Sequence, residues 1–501
     1  MQDVPGRFIR CILFATGLIG CLWIASSGCE KRSAQAPAEG PITPGPTPNI
    51  VFMMIDTLRA DYLGAYGNHR QSTPTLDSIA TEGVTFERAI APAPWTQPSI
   101  ASLFCSVYPG VHQVLDYRQA LNSTFKGEPK VAVFSDRFDT LAESLKARGY
   151  ATAGFVANPY ILPEYGFAQG FDHFDTTFAK NTTPGGVVNA AALAWLSQRD
   201  ADPPLFLYLH YMDVHGPYDA GPEFLEPLLE RIESAVGGPD KQRLTEAQFK
   251  RLGYLRKPPK GAADLERHTR LFRYREYWAA RYEAGIRQMD HYIAELRAGL
   301  QELGLWDEAY VVVVADHGEA LCEHGLWEHG WSVHHTDLHV PLILRWPGVL
   351  PPGKRVRHTV QLIDLMPTLL EQLRLPEVGG MQGRSLAPYI AGRPPSAPTV
   401  AFAEGVKLGP EQKAVHLGAW KLMITYPKGE RKPFRKLYNL GTDPLEQKEL
   451  SAQHPAQADA LTELLNQQVN ENARLAAGVS VDHAPLSPEQ IERLRSLGYL
   501  Q

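Results

Sequence analysis

The chain has 501 residues, with 49 Lys+Arg against 55 Asp+Glu, 44% apolar and 21% charged residues, a balance that excludes disordered and collagen-like classes. This length accommodates one large domain with a smaller one, or two of middle size, with a sizeable core in either case. The net charge of −6 includes no concentrated basic stretch in the folded part, so the electrostatic footprint of a nucleic-acid binder is missing.

Residues 1–28 read as a secretory signal: Arg7 and Arg10, an apolar run from Cys11 to Ile24, then the small residues Ala25-Ser26-Ser27-Gly28 before Cys29. The run is shorter than the roughly 20 residues of a membrane-spanning helix; an uncleaved N-terminal anchor is the alternative. Gly28-Cys29 resembles a bacterial lipoprotein cleavage site, with Ser26 where such sites usually carry Leu, and implies membrane anchoring through a lipidated Cys29 in the periplasm or at the cell surface. Removing 1–28 takes the net charge to −7 and leaves Cys29, Cys105 and Cys322, too few for a disulfide framework. Cys105 and Cys322 are read as buried thiols, with a bridge between them as the alternative. Residues 29–48, with Pro37, Pro41, Pro44, Pro46 and Pro48, form a Pro-rich linker.

From Asn49 the pattern changes. Asn49–Ile55 is a continuous apolar run ending at Asp56, the signature of a strand buried on both faces. Pro94–Phe104 places Thr96 at a helix start with Pro98 in the first turn. A helix over Thr140–Arg148 ends at Gly149, and a second strand, Leu205–Leu209, runs into His210. Residues 219–280 are a charged, helix-prone insertion, read either as a cap over the site or as a solvated excursion; its Arg-rich part can meet a phosphate or headgroup, or simply water. A helix over Tyr282–Leu303 ends at Gly304, and the strand Tyr310–Val314 precedes Asp316-His317. This alternation predicts a doubly wound α/β fold, a mainly parallel sheet flanked by helices. From residue 396 shorter strand-like segments follow, then helices over Gln457–Asn472 and Ser487–Gly498.

Ligands of such sheets bind beyond the carboxyl ends of the strands. Asp56, His210, Asp213, His215, Asp316 and His317 fall there, although a single Asp after a strand is commonly a cap or turn residue. Carboxylates with an imidazole suit one divalent ion, such as zinc or manganese, or a harder one if water completes the shell. Beside such an ion the Thr96 hydroxyl becomes a nucleophile.

The pieces resemble the sulfatase family of the alkaline-phosphatase superfamily, in that family's order over nearly all of residues 49–450. They are Asn49–Asp61, Thr73–Asp77, the Thr96 segment, Gly170–Asp172, His210–Tyr218, Asp316–Glu319, Glu323–Gly325, Val340–Ile343, Asp364–Thr368 and Leu437–Pro444. The resemblance implies a catalytic domain over 49–395, with a subdomain over 396–501 holding a smaller C-terminal antiparallel sheet plus helices. It also implies a single metal (zinc, manganese or calcium) among Asp56, Thr96, Asp316 and His317. His215 matches a histidine near the ester. His329 stands where many members carry a Lys on the leaving oxygen, and there an imidazole can act as general acid. His324 is assigned a supporting place, and His334, His335 and His339 none.

The departures shape the functional expectation. Members that hydrolyse sulfate esters carry Cys or Ser in Cys-x-Pro-Ser-Arg, oxidised to formylglycine; here the segment is Thr96-Gln-Pro-Ser99-Ile100, so no formylglycine is expected. The family's Gly-Lys-Trp-His segment is replaced by Ala153–Pro159, which includes Asn158. A threonine ester cannot collapse to an aldehyde and must be cleaved by water or an alcohol. The expected activity is therefore hydrolysis of phosphate mono- or diesters on a small-molecule, glycan or lipid substrate. Sulfate ester hydrolysis without formylglycine, phosphotransfer to a headgroup or glycan, and an inactive binding lipoprotein are the alternatives.

Overall fold

The structure is a computed structural model and describes residues 47–115, 130–179, 183–199, 202–233, 243–252, 265–429 and 431–496. Residues 1–46, which hold the expected secretory signal, Cys29 and all of the expected linker but its last two residues, lie outside the described residues. The large sheet has nine strands, numbered here in chain order: β1 Ile50–Ile55, β2 Val84–Ile90, β3 Ala151–Val156, β4 His173–Asp175, β5 Leu205–Tyr211, β6 Tyr310–Val314, β7 His339–Val340, β8 Leu342–Arg345 and β9 Lys354–Gln361. Across the sheet the order is β7-β2-β8-β6-β1-β5-β3-β4, with β9 on β2.

The centre is parallel, as expected of strands buried on both faces. β1 pairs with β5 and with β6, β5 with β3, and β3 with β4, all parallel. Every residue of β1, β5 and β6 is buried, each apolar side chain contributing about 1.5–3 kcal/mol. β8 runs antiparallel to β6 and β2, and β7 antiparallel to β2. β7 and β8 are one line of chain interrupted at Pro341, which has no N–H to give the ladder. β9 is irregular, its register on β2 shifting between Val356 and Thr359.

The helices follow their sequence signals. Thr140 caps Leu141–Lys146 in a reciprocal capping box with Glu143, and Gly149 turns at φ 88°. The long helix Arg275–Glu302 starts seven residues before the expected Tyr282, because the arginines of its first turns find protein partners: Arg275 donates to the Leu321 carbonyl and to Glu323, and Arg281 is buried. The Arg281 guanidinium donates to the carbonyls of Pro217 and Tyr218 and packs over Trp278. In the insertion, Pro222–Glu233 lies on this helix through Leu225, Leu228, Leu229 and Ile232. The arginines of 265–275 are neutralised at home: Arg267 meets Glu226 and Glu233, Arg270 meets Glu233, and Arg273 meets Glu246.

A separate antiparallel sheet of four strands, Val400–Ala403, Glu411–Leu417, Trp420–Tyr426 and Phe434–Asn439, follows in simple meander order. The helix Pro455–Leu475 covers it with Ala458, Leu461 and Leu465. Cys105 and Cys322 are buried free thiols. No helix among the described residues is long and apolar enough to cross a membrane.

Candidate active site

Three central strands bring the site together. Asp56 leaves β1, Asp316 and His317 follow β6, and His210 lies within β5, which runs two residues further than its apolar pattern indicated. Opposite them the helix Thr96–Cys105 begins at Thr96 itself, all ten residues buried. The turn after Asp56 is strained: Thr57, β-branched, sits at φ 60°, a conformation that persists only when its surroundings impose it. Tyr282 does so, its hydroxyl donating to the Thr57 carbonyl (2.7 Å) and accepting from the Arg59 N–H (2.9 Å). After His317 the chain passes so close to the Thr336 carbonyl that a Cβ on Gly318 would lie 2.0 Å from its oxygen.

The two carboxylates are each satisfied on one oxygen only. Asp56 Oδ2 accepts from Asn158 Nδ2 (2.6 Å) and pairs with His210 Nε2 (3.2 Å), whose Nδ1 meets the Tyr208 hydroxyl. Asp316 Oδ1 accepts from the N–H groups of His317 (3.0 Å) and Thr57 (3.4 Å). Asp56 Oδ1 and Asp316 Oδ2 are buried without a hydrogen-bond partner. Both face His317 Nε2, at 3.7 and 3.3 Å, and the Thr96 hydroxyl lies 3.3 Å from the same nitrogen. A carbonyl can only accept, so His317 Nδ1–H donates to Gly318 O (2.9 Å) and Nε2 of the neutral ring carries a lone pair. Two carboxylate oxygens and an imidazole lone pair thus converge with only one hydroxyl proton among them.

The electrostatics favour a cation here. Burial pulls the Asp56 carboxyl up, but the His210 hydrogen bond and the neighbouring imidazoles outweigh it and hold the pKa at about 2. Burial and the facing Asp56 push Asp316 well above the usual carboxylate range. Two buried carboxylates this close ionise together only with a cation between them. Asp56, Asp316, His317 and Thr96 therefore fit a divalent ion; Asp56, His210 and Asp316 bring ligand atoms within 4.8 Å of one another, but the Tyr208 and Asp56 contacts of His210 make it the group that orients Asp56.

Around this centre stand further polar groups. His215 donates Nδ1–H to Gly216 O (2.6 Å), and its ring lies 5.0 Å from that of His329. His329 pairs through Nδ1 with Glu319 (3.1 Å), its ring 4.4 Å from that of His317. Burial lowers the pKa of both imidazoles, His329 further because His317, His215 and Lys407 add to it.

Lys407 is the residue that sequence reasoning missed. It follows the first strand of the small sheet and is 4% exposed, its ammonium 5.1 Å from the Trp95 ring centroid and 4.9 Å from that of Tyr160. Burial holds its pKa well below the usual lysine value, against the pull of Glu328 and Asp56. The Trp95 indole N–H donates to Gly405 O and the Lys407 N–H to Gly330 O, which docks this loop on the site. No spacing signal marks a lone lysine in such a loop; its only hint is its place in an apolar stretch.

All six site residues read from the sequence, Asp56, Thr96, His215, Asp316, His317 and His329, come into one cluster. Asp213 does not: both its oxygens accept from the Gly185 N–H at the start of the helix Gly185–Leu196, and Gln288 donates to one of them. It is the helix-cap carboxylate that an Asp after a strand most often is. A cavity of about 260 Å³ lies apart from Thr96, lined by Arg59, Asp61, His335, His339 and His416 among others; it shares none of the six.

Comparison with known proteins places these features. A family model described as Sulfatase matches residues 48–375, and one described as N-sulphoglucosamine sulphohydrolase, C-terminal, matches residues 322–474. Rattus norvegicus steryl-sulfatase is 26% identical over 70% of this chain and 71% of its own length. For the arylsulfatase of Clostridium perfringens the identity is 23% over 69% and 79%. Among solved structures, one in complex with its substrate D-glucosamine-2-N,6-O-disulfate superposes with a TM-score of 0.67 at 19% identity, covering 85% of this chain and 98% of its own. The phosphonate monoester hydrolase of Agrobacterium radiobacter does so with a TM-score of 0.64 at 20% identity, covering 88% and 100%. At these identities the structures establish the fold: a central mainly parallel sheet with a small antiparallel one.

Proposed function

The chain belongs to the sulfatase family, and on that premise we propose that it is a metal-dependent hydrolase with Thr96 as nucleophile, acting on phosphate mono- or diesters. The observation that carries this reading is the Thr96 hydroxyl, buried at the start of its helix, 3.3 Å from His317 Nε2 and beside two carboxylate oxygens that lack partners. The leader and Cys29 add an exported, lipid-anchored setting.

A divalent ion held by Asp56, Asp316, His317 and Thr96 would supply Lewis-acid stabilisation of the phosphoryl charge. The protein's own groups do the rest. Thr96 Oγ1 bonds to phosphorus as the P–O bond to the departing alcohol breaks in line with it, its hydroxyl proton passing to water, while the helix N-terminus behind it favours the anionic group. Burial pushes the Glu319 carboxyl well above the usual carboxylate range. Its proton, donated to His329 Nδ1, leaves the ring's own proton on Nε2, which passes to the leaving oxygen as Glu319 gives its proton to Nδ1, with His215 beside it as the second imidazole. Lys407, close enough to act on His215, His317 and His329, adds a donor for the non-bridging oxygens, a place that His329 leaves open by standing where many relatives carry Lys. Water then attacks phospho-Thr96, releases phosphate and restores the hydroxyl.

Phosphorus is favoured because a threonine ester offers no aldehyde to collapse to, and the fold neighbours include phosphonate monoester hydrolases. The curated relatives, sulfatases by name, favour the second reading, sulfuric ester hydrolysis without formylglycine. The deciding experiment assays the metal-reconstituted chain on p-nitrophenyl phosphate, its bis-p-nitrophenyl diester and p-nitrophenyl sulfate, with Thr96→Ala as control. Thr96-dependent turnover led by the phosphate esters supports the proposal. Turnover led by the sulfate replaces it with the second reading, and no Thr96-dependent turnover refutes both in favour of a transferase or a binding protein.

A further inference from the structure

Two of the turns that carry the site hold a non-glycine residue in the left-handed region, and a single helix grips both. The first is Thr57, at φ 60° directly after Asp56. Its N–H donates to Asp316 Oδ1 at 3.4 Å, so this one turn sets both carboxylates. The second is Tyr218, at φ 56°, in the turn that begins at His215 and is closed by the Tyr218 N–H on the His215 carbonyl (3.2 Å). A β-branched or aromatic residue stays in this region only where its surroundings impose it.

The imposing groups are consecutive residues of the helix Arg275–Glu302. Tyr282, fully buried, donates its hydroxyl proton to the Thr57 carbonyl and accepts from the Arg59 N–H, and so holds the first turn from both sides. Arg281, also buried, donates Nε–H to the Tyr218 carbonyl (3.1 Å) and an Nη2 proton to the Pro217 carbonyl (2.8 Å), a use of the planar fork that an ammonium cannot copy. The Trp278 ring braces the guanidinium at 5.2 Å. The helix lies directly against the segment it holds: a Cβ on Gly285, one turn further along, would stand 2.5 Å from the Asp213 carbonyl oxygen.

We propose that Arg281 and Tyr282 are positioning residues that set two halves of the site separately: Tyr282 aligns Asp56 and Asp316 for the divalent ion, and Arg281 aligns His215 beside His329. This division rests on the metal-dependent reading given above, in which neither residue is a ligand, a nucleophile or an acid. The phenol is bonded to the Asp56 turn and the guanidinium to the His215 turn, so each turn can be loosened by itself. The two halves meet only through packing, the Tyr218 ring standing edge-on to that of Tyr282 with centroids 5.8 Å apart. Tyr282→Phe keeps that ring and removes the hydroxyl alone.

The test compares wild type with Tyr282→Phe, Arg281→Met and Arg281→Lys, the last keeping the charge and one donor. Zn2+ affinity is measured by equilibrium dialysis of the full chain with elemental analysis, and the His215 turn by amide hydrogen exchange over residues 212–218 of the metal-free chain. Turnover is read as kcat at saturating metal on whichever p-nitrophenyl ester the wild type cleaves. Tyr282→Phe should weaken Zn2+ binding about tenfold or more, with exchange over 212–218 unchanged and kcat within a few-fold of wild type. Arg281→Met should speed that exchange about tenfold or more and lower kcat about 10- to 100-fold, with Zn2+ affinity unchanged. Arg281→Lys should show the same signs at smaller size, and it decides this arm if Arg281→Met does not fold. Weaker Zn2+ binding in the Arg281 variants, faster exchange over 212–218 in Tyr282→Phe, or a fall in Tm with neither readout altered would overturn the proposal. Dialysis and exchange need no turnover, so a chain inactive on every ester removes the hydrolase reading and still leaves the positioning roles to be decided.

Discussion

The sharpest prediction concerns Asn158, two residues beyond the end of β3. Asn158→Leu keeps the branched shape of the side chain and removes the amide that donates to Asp56 Oδ2 at 2.6 Å. A hydrogen bond to a charged group contributes about 1.5–3 kcal/mol, and at about 1.4 kcal/mol per tenfold this corresponds to roughly 10- to 100-fold in an equilibrium constant. His210 still holds the same oxygen, so Asp56 stays ionised but loses half of its orientation. The expected outcome is 10- to 100-fold weaker activation by the divalent ion, read from rate against free metal concentration, with kcat at saturating metal within a few-fold of wild type. A lower Tm accompanies it, because Asn158 Oδ1 also accepts from the Tyr160 N–H at 2.7 Å. If kcat collapses while the metal dependence is unchanged, Asn158 touches the substrate instead and the account of Asp56 is wrong.

Other outcomes follow from the same geometry. Chelation should abolish turnover and added divalent ion restore it in wild type, while Asp316→Asn stays inactive at any practical metal concentration. His329→Ala should cost about 10²- to 10⁴-fold on an alkyl phosphate, whose leaving group needs a proton, and much less on a p-nitrophenyl ester; equal losses on both would remove it from the general-acid role. Lys407→Met should lower kcat about 10²- to 10³-fold while leaving Tm unchanged or higher, because the desolvation of the ammonium is relieved; a fall in both would make it a structural lysine. Burial raises the Asp213 carboxyl from 3.8 to about 6, so its contribution to stability is complete below pH 4 and lost as pH rises through 6, about 3 kcal/mol in all by linkage. Asp213→Asn should flatten urea-melt stability between pH 4 and 6 and leave activity within twofold.

The central strands were legible because burial on both faces writes itself into sequence as an unbroken apolar run, and the polar residue ending each run then falls at the ligand-binding edge. That logic located Asp56, Asp316 and His317. It overreached at Asp213, where an identical pattern encodes a helix cap, since sequence does not say which helix starts nearby. It stopped short at His210, because an imidazole satisfied by Tyr208 and Asp56 extends a strand as well as an aliphatic residue does. Lys407 was out of reach for a different reason. Its meaning comes from the docking of Gly405 on Trp95 and of its own N–H on Gly330, contacts between residues separated by tens to hundreds of positions. The early start of the helix at Arg275 was hidden by charges that look solvated but donate to buried carbonyls.

The arrangement of the large sheet has a consequence for how the molecule opens. One rim is the three-residue β4 and the other the irregular β9 with Lys354, Arg355 and Arg357, both poor templates for another strand. Asp56 and Asp316 hang from β1 and β6, neighbours at the middle of the sheet. Local opening begins where protection is least, so amide exchange should run from the rims inward and reach the amides of 50–55 and 310–314 last. The chemistry is thereby placed on the part of the molecule that opens only when the whole sheet does, and partial unfolding at the rims leaves the site intact.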